Sequence, residues 1–156
     1  MSARLLRWTA SILGVAVLAV AVVAGWEGGL PESTHVVMYK GAQCECCLRW
    51  GKQLTDAGFT LEVRIPDDLA AEFTRHSVPS SLMGCHVALV GDYVIAGHVP
   101  LEDIQRMLRE RPAIAGLAVP GMPAGAPGMD YPGTEPVHFD VVAFDHDGKT
   151  SIYARH

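Results

Sequence analysis

His35-Val36-Val37-Met38-Tyr39-Lys40-Gly41-Ala42-Gln43-Cys44-Glu45-Cys46-Cys47 sets an apolar β-branched run, a short turn and a cysteine cluster in direct succession. The run predicts a strand over His35–Lys40. Gly41-Ala42-Gln43 predicts a turn. Beyond the cysteines, Leu48, Trp50, Leu54 and Ala57 recur at helical spacing up to Gly58, a good C-terminal stop. The cysteines therefore sit where a strand feeds a helix. Unpaired backbone amides and the helix dipole at such an N-terminus favour thiolate over thiol.

On the C-terminal side, Phe59–Ile65 alternates and predicts a second strand, stopped by Pro66. Asp67 or Asp68 can cap a helix running through Leu69 and Phe73 to about His76. Val78-Pro79-Ser80-Ser81 reads as a turn, Cys85–Val90 as a strand, Gly91-Asp92 as a hairpin turn and Tyr93–His98 as its partner strand. Pro100 opens a helix with Ile104, Met107 and Leu108 on one face, and Pro112 ends it. Gly116–Gly133 is rich in Gly, Pro and Met and predicts a loop. Val137–Phe144 and Thr150–Tyr153 predict a final hairpin around Asp145-His146-Asp147-Gly148. The fold class is α/β, and the order of strands and helices resembles the thioredoxin fold. That resemblance implies a central sheet with flanking helices, to which the Gly/Pro/Met-rich loop and the C-terminal β-hairpin are added.

Three of the four cysteines fall within Cys44-Glu45-Cys46-Cys47. A disulfide inside this run ties up at most two of them, and a Cys46–Cys47 bond would need a strained vicinal ring. Cys44 and Cys47 have the C-x-x-C spacing that serves both redox exchange and metal binding. Cys46 separates the two, because a dithiol exchanger has no need of a third thiol inside its pair. Soft thiolates favour Cu(I), Zn(II) or iron–sulfur centres. A disulfide from Cys44 to Cys47, or from the run to Cys85, is the plainer alternative in an oxidising compartment.

Cys85-His86 opens the third expected strand, and a thioredoxin-like arrangement would bring it to the helix N-terminus. Adjacent strand residues point to opposite faces, so Cys85 is favoured as a fourth sulfur over His86. His98, in Gly97-His98-Val99-Pro100, lies at a strand end where sites gather. Met122 and Met129 stand in a Gly/Pro-bearing loop rather than at core spacing. Thioethers bind Cu(I) well and Zn(II) poorly. Met38 and Met107 fit core periodicity, and His35, His138, His146 and His156 read as surface or terminal residues. No Ser-His-Asp spacing, phosphate loop or paired-carboxylate signature stands out.

Arg4 and Arg7 precede an apolar run from Trp8 to Ala24, about 17 residues, which reads as a signal peptide or an N-terminal membrane anchor over residues 1–24. Residues 25–34 read as a linker and 35–156 as the folded domain. Either N-terminal reading places that domain outside the cytoplasm, with a bacterial periplasm as the natural compartment. The whole chain carries a net charge of −5, and loss of the two arginines makes the remainder more acidic. Such a balance argues against nucleic acid, which needs clustered Lys and Arg.

Tyr39-Lys40 with Cys44-Glu45-Cys46-Cys47, Gly84-Cys85-His86, Gly97-His98-Val99-Pro100 and Gly116-Leu117-Ala118-Val119-Pro120-Gly121-Met122-Pro123 together resemble the CopG-like copper-resistance proteins, from about His35 to Arg155. The resemblance implies a periplasmic thioredoxin-like domain with a cysteine-bridged cluster of more than one Cu(I). It implies a role in copper tolerance by storage, redox handling or transfer, with other periplasmic copper-handling proteins as partners. Cys44, Cys46, Cys47 and Cys85 match its cysteine motifs; His98 and the loop methionines match its other characteristic positions. Gly84 and Val87 depart from the Ser and Thr that often flank the Cys-His pair. A thiol–disulfide oxidoreductase using Cys44 and Cys47 is the rival from a different class. A zinc or iron–sulfur structural domain is a third reading.

Overall fold

The computed structural model describes residues 35–156; the expected N-terminal segment 1–24 and linker 25–34 lie outside the described residues. Seven strands and three helices follow in chain order: β1 (His35–Lys40), α1 (Glu45–Asp56), β2 (Thr60–Arg64), α2 (Leu69–Arg75), β3 (His86–Val90), β4 (Tyr93–Ala96), α3 (Leu101–Glu110), β5 (Gly116–Ala118), β6 (Asp140–Phe144) and β7 (Thr150–Arg155). They build one mixed sheet of order β2-β1-β3-β4-β5-β6-β7. The β1/β2 and β4/β5 pairs are parallel and the other neighbours antiparallel. This is the α/β class expected from the sequence. No helix among the described residues is long and apolar enough to cross a membrane.

Alternation along the strands divides the core between the two faces of the sheet. Val36 and Met38 of β1, Ala88 and Val90 of β3, and Ile95 of β4 join Trp50 and Leu54 of α1 and Ile104 and Met107 of α3 in the larger apolar cluster. Val87, Ala96 and Phe144 join Phe73 of α2 in the smaller one, with Tyr39 packed against it. Met38 and Met107 are core residues, as their spacing predicts. The Asp68 side chain caps α2 by accepting from the Ala71 amide, which satisfies one orphan donor of the first turn. Gly58, at φ 92°, takes the left-handed conformation that ends α1 without a Cβ penalty.

Several boundaries differ from expectation. The segment Gly116–Gly133 is not loop throughout, because Gly116–Ala118 forms β5, buried along its whole length. Three residues are too few to display a period, and a strand covered on both faces does not alternate. β2 stops short of Ile65, β4 ends at Ala96 before Gly97 takes φ 73°, and β6 begins at Asp140 rather than Val137. β7 continues to Arg155, and the pairing extends one step further through mutual backbone hydrogen bonds of Phe139 and His156. His156 is not a loose terminal residue: its Nε2 lies 2.7 Å from Asp103 Oδ2, and its ring stacks on Phe139.

Gly116 shows how tightly β5 is held. A Cβ there would collide with the Val94 carbonyl of β4 and stand 2.8 Å from the Phe144 ring. Gly116→Ala should therefore destabilise the domain by ~1–3 kcal/mol, the usual cost of overpacking. Urea unfolding followed by far-UV circular dichroism measures it, and an unchanged midpoint would refute the packing described for β5.

Candidate metal centre

Three local geometries meet at one end of the sheet. Cys44 is the N-cap of α1, and Cys46 and Cys47 lie in its first turn. Lys40, almost fully buried at the end of β1, donates its ammonium to the carbonyls of Gly41 (2.9 Å) and Ala42 (3.3 Å), which holds the turn ahead of the cysteines. The β1/β3 register sets Lys40 opposite His86. Cys85 therefore arrives beside the cysteine turn although it is far away in sequence.

The sulfurs of Cys44, Cys46, Cys47 and Cys85 all lie within 4.8 Å of one another, and Cys47, Cys85, His86 and His98 form a second, overlapping group of the same span. Cys44 Sγ and Cys46 Sγ are 3.5 Å apart. Cys44 and Cys47 are joined by a disulfide, with Cα atoms 5.4 Å apart; Cys46 and Cys85 are free. The alternative C-x-x-C pairing weighed from the sequence is thus the one present in this structure.

Cys85 precedes β3, which begins at His86, so strand alternation does not separate these two residues. Cys85 Sγ lies 3.7 Å from His86 Nδ1 and 3.0 Å from His98 Nε2. Expecting Cys85 and His86 on opposite faces assumed a strand one residue longer. His98 stands just past β4, and its Nδ1 is 2.7 Å from the Pro127 carbonyl. A carbonyl only accepts, so Nδ1 carries the ring hydrogen and Nε2 turns its lone pair to Cys85. This is the usual posture of a ligating histidine, one nitrogen bonded outward and the other turned to the site, where it accepts from the Cys85 thiol.

Burial governs the protonation of the group. It pushes the Cys85 thiol up to about 12, helped by the neighbouring Cys46. Burial also drives His86 down to about 3, with His98 adding to the effect, and lowers His98 as well. At neutral pH the site therefore presents a thiol at Cys85 and two neutral imidazoles. His86 Nε2 is fully buried without a hydrogen-bond partner, a cost whether it carries the ring hydrogen or the lone pair, while Nδ1 is the nitrogen near Cys85. The His86 ring packs on Trp50 (4.4 Å between centroids) and edge-on to His98 (5.1 Å).

The Gly/Pro/Met loop is docked on this group. Gly128, at φ 82°, lies so close to α1 that a Cβ would stand 2.6 Å from the Cys46 carbonyl oxygen and 2.9 Å from the Trp50 amide nitrogen. Arg49 Nη2 donates to the Gly128 carbonyl at 2.6 Å. Met129 follows directly and is half-buried, whereas Met122 is 56% exposed on the turn at Gly121. Lys40 enters the sequence reading only within the Tyr39-Lys40 motif, and Arg49, Pro127 and Gly128 carry no site signal of their own there. Their parts depend on tertiary contacts, although Pro127-Gly128 does carry a turn signature.

This fold and this site define an α/β protein with a cysteine–histidine cluster able to hold a metal ion. The family described as "Protein of unknown function, DUF411" matches residues 82–129, a span holding Cys85, His98 and the docked loop. Two solved structures, titled "Copper resistance protein copG- Form 1" and "Form 2", are each 34% identical to the chain. The first covers 80% of this chain and 98% of its own at a TM-score of 0.75. The second covers 78% and 97% at 0.74. No curated protein matches. The chain belongs to the CopG family of copper resistance proteins.

The buried imidazole gives a pH test. The unfolded chain protonates His86 near the ordinary 6.5, the folded chain only near 3. The unfolded state thus binds more protons between those values, and stability falls as pH drops through that window. Urea unfolding of metal-free protein should show a midpoint falling between pH 7 and pH 4.5, with a shallower fall in His86→Asn. Equal slopes in the two proteins would show that His86 does not titrate as its burial requires.

Proposed function

We propose that this protein handles copper in the periplasm, holding Cu(I) on the thiolates of Cys44, Cys46, Cys47 and Cys85 with His98 beside them. The observation that carries this reading is the convergence of four sulfurs and two neutral imidazoles within two overlapping groups. Four sulfurs bridging more than one ion suit Cu(I), which prefers soft ligands and low coordination. His86, whose Nδ1 lies 3.7 Å from Cys85 Sγ, and Met129, on the docked loop, are the next candidate ligands. Met122 would have to leave solvent to join them. The similarity to copper resistance proteins supports copper as the cargo, and Arg4, Arg7 and the apolar run to Ala24 support export. The β2-β1-β3-β4 order, with its parallel and antiparallel pairings, supports a thioredoxin-like core.

Loading the full sulfur set requires an external dithiol to reduce the Cys44–Cys47 disulfide, the dithiol becoming a disulfide as its two electrons and two protons give two thiols here. Each thiol then gives up its proton as the soft ion binds. Whether the loaded protein stores copper, hands it on by ligand exchange or changes its oxidation state, the same thiolates would carry the step.

A second reading is favoured by the disulfide itself: Cys44 and Cys47 form a C-x-x-C pair at a helix N-terminus, the usual site of thiol–disulfide exchange. The two readings part at Cys46 and Cys85, which the copper site needs and a dithiol exchanger does not. Anaerobic Cu(I) titration of reduced protein against a Cu(I) chelator should show several tightly held coppers per chain, with capacity lost in Cys46→Ser and Cys85→Ser. Oxidised protein should bind fewer. Weak uptake unaffected by either substitution, together with disulfide reduction that persists in Cys46→Ser, would favour the exchange reading instead.

A further inference from the structure

His98 owes its posture to a carbonyl that belongs to a loop, so whatever fixes that loop fixes the imidazole. Among the described residues, the backbone hydrogen bonds of residues 126–129 are local, from Ala126 to the Pro123 carbonyl and from Met129 to the Ala126 carbonyl. Among the described residues, two hydrogen bonds tie the Pro127–Gly128 segment to the rest of the fold. His98 Nδ1 donates to Pro127 at 2.7 Å, and Arg49 Nη2 donates to Gly128 at 2.6 Å. The Arg49 guanidinium is itself held, with the Tyr131 ring centroid 3.7 Å from its central carbon. Both ends of the clamp on Arg49 therefore lie on the loop, while its stem rises from the first turns of α1, beside Cys46 and Cys47.

We propose that Arg49 is a positioning residue of this centre: by holding Gly128 it holds the Pro127 carbonyl against His98, and so fixes the imidazole with Nε2 facing Cys85. Arg49 orients the ring through the loop backbone, and its positive charge separately disfavours the protonated form of His98; Arg49→Lys keeps that charge while losing the planar fork. Arginine suits the task better than lysine, because its planar head can stack on Tyr131 while donating to the carbonyl. The effect on copper rests on the reading of His98 as a ligand, whereas the effect on the imidazole does not.

The test is the His98 tautomer, read by long-range proton–nitrogen correlation on the ¹⁵N-labelled, metal-free full chain. Unaltered protein should show hydrogen on Nδ1. Arg49→Met, which keeps an apolar stem, should give a mixture of Nδ1–H and Nε2–H forms, with partial return to Nδ1–H in Arg49→Lys. Arg49→Gln carries the same test should Arg49→Met fail to fold. A folded variant without the guanidinium whose His98 stays wholly Nδ1–H would overturn the proposal. Cu(I) affinity of the same variants should fall about 10–100-fold, the usual loss when a ligand's outer partner is removed. A shifted tautomer with unchanged affinity would uphold the positioning role and remove His98 from the copper ligands.

Discussion

Lys40 lies opposite His86 in the antiparallel pairing of β1 and β3, and the whole sulfur cluster depends on that register. A slip of one residue would turn His86 away from Trp50 and carry Cys85 off the cysteine turn. The register is secured on both sides. Val36 and Met38, with Ala88 and Val90 opposite, bury one face under α1 and α3, while Tyr39 and Val87 pack the other with Phe73. The buried Lys40 then ties the outgoing turn to its own strand. Core packing that would be unremarkable elsewhere in an α/β sheet here brings together residues 44–47 and residue 85.

Burial sets the chemistry at that junction. The low-dielectric surroundings of Cys85 favour its thiol over its thiolate. A bound soft cation would offset that cost, because it replaces the proton and supplies a compensating charge. The neutral His86 and His98 suit the same occupant, since a site meant for an anion would offer cationic imidazoles instead. The Cys44–Cys47 disulfide is the other way to discharge two of the sulfurs, and it marks the site as sensitive to redox state.

Much of this was legible in the chain. The strand and helix around Cys44, the capped α2, the helix after Pro100 and the terminal hairpin all follow from periodicity and caps. The cysteine cluster declares itself by density alone. What was not legible depends on long-range geometry. β5 is too short and too evenly buried to show a period. The docking of Gly128 on α1 cannot be read from a Gly/Pro-rich composition, which looks alike whether a loop is free or seated. Arg49 resembles any helix-surface arginine until the loop arrives, and His156 resembles a solvated terminus until Asp103 is seen buried beneath it.

The central claim is that the four cysteine sulfurs hold copper together. X-ray absorption at the copper edge of anaerobically loaded protein tests it most directly. The account predicts a Cu(I) edge, a first shell dominated by sulfur and a short copper–copper vector that disappears in Cys46→Ser. A shell of nitrogen and oxygen alone, or an isolated copper whose spectrum is unchanged in Cys46→Ser, would contradict it.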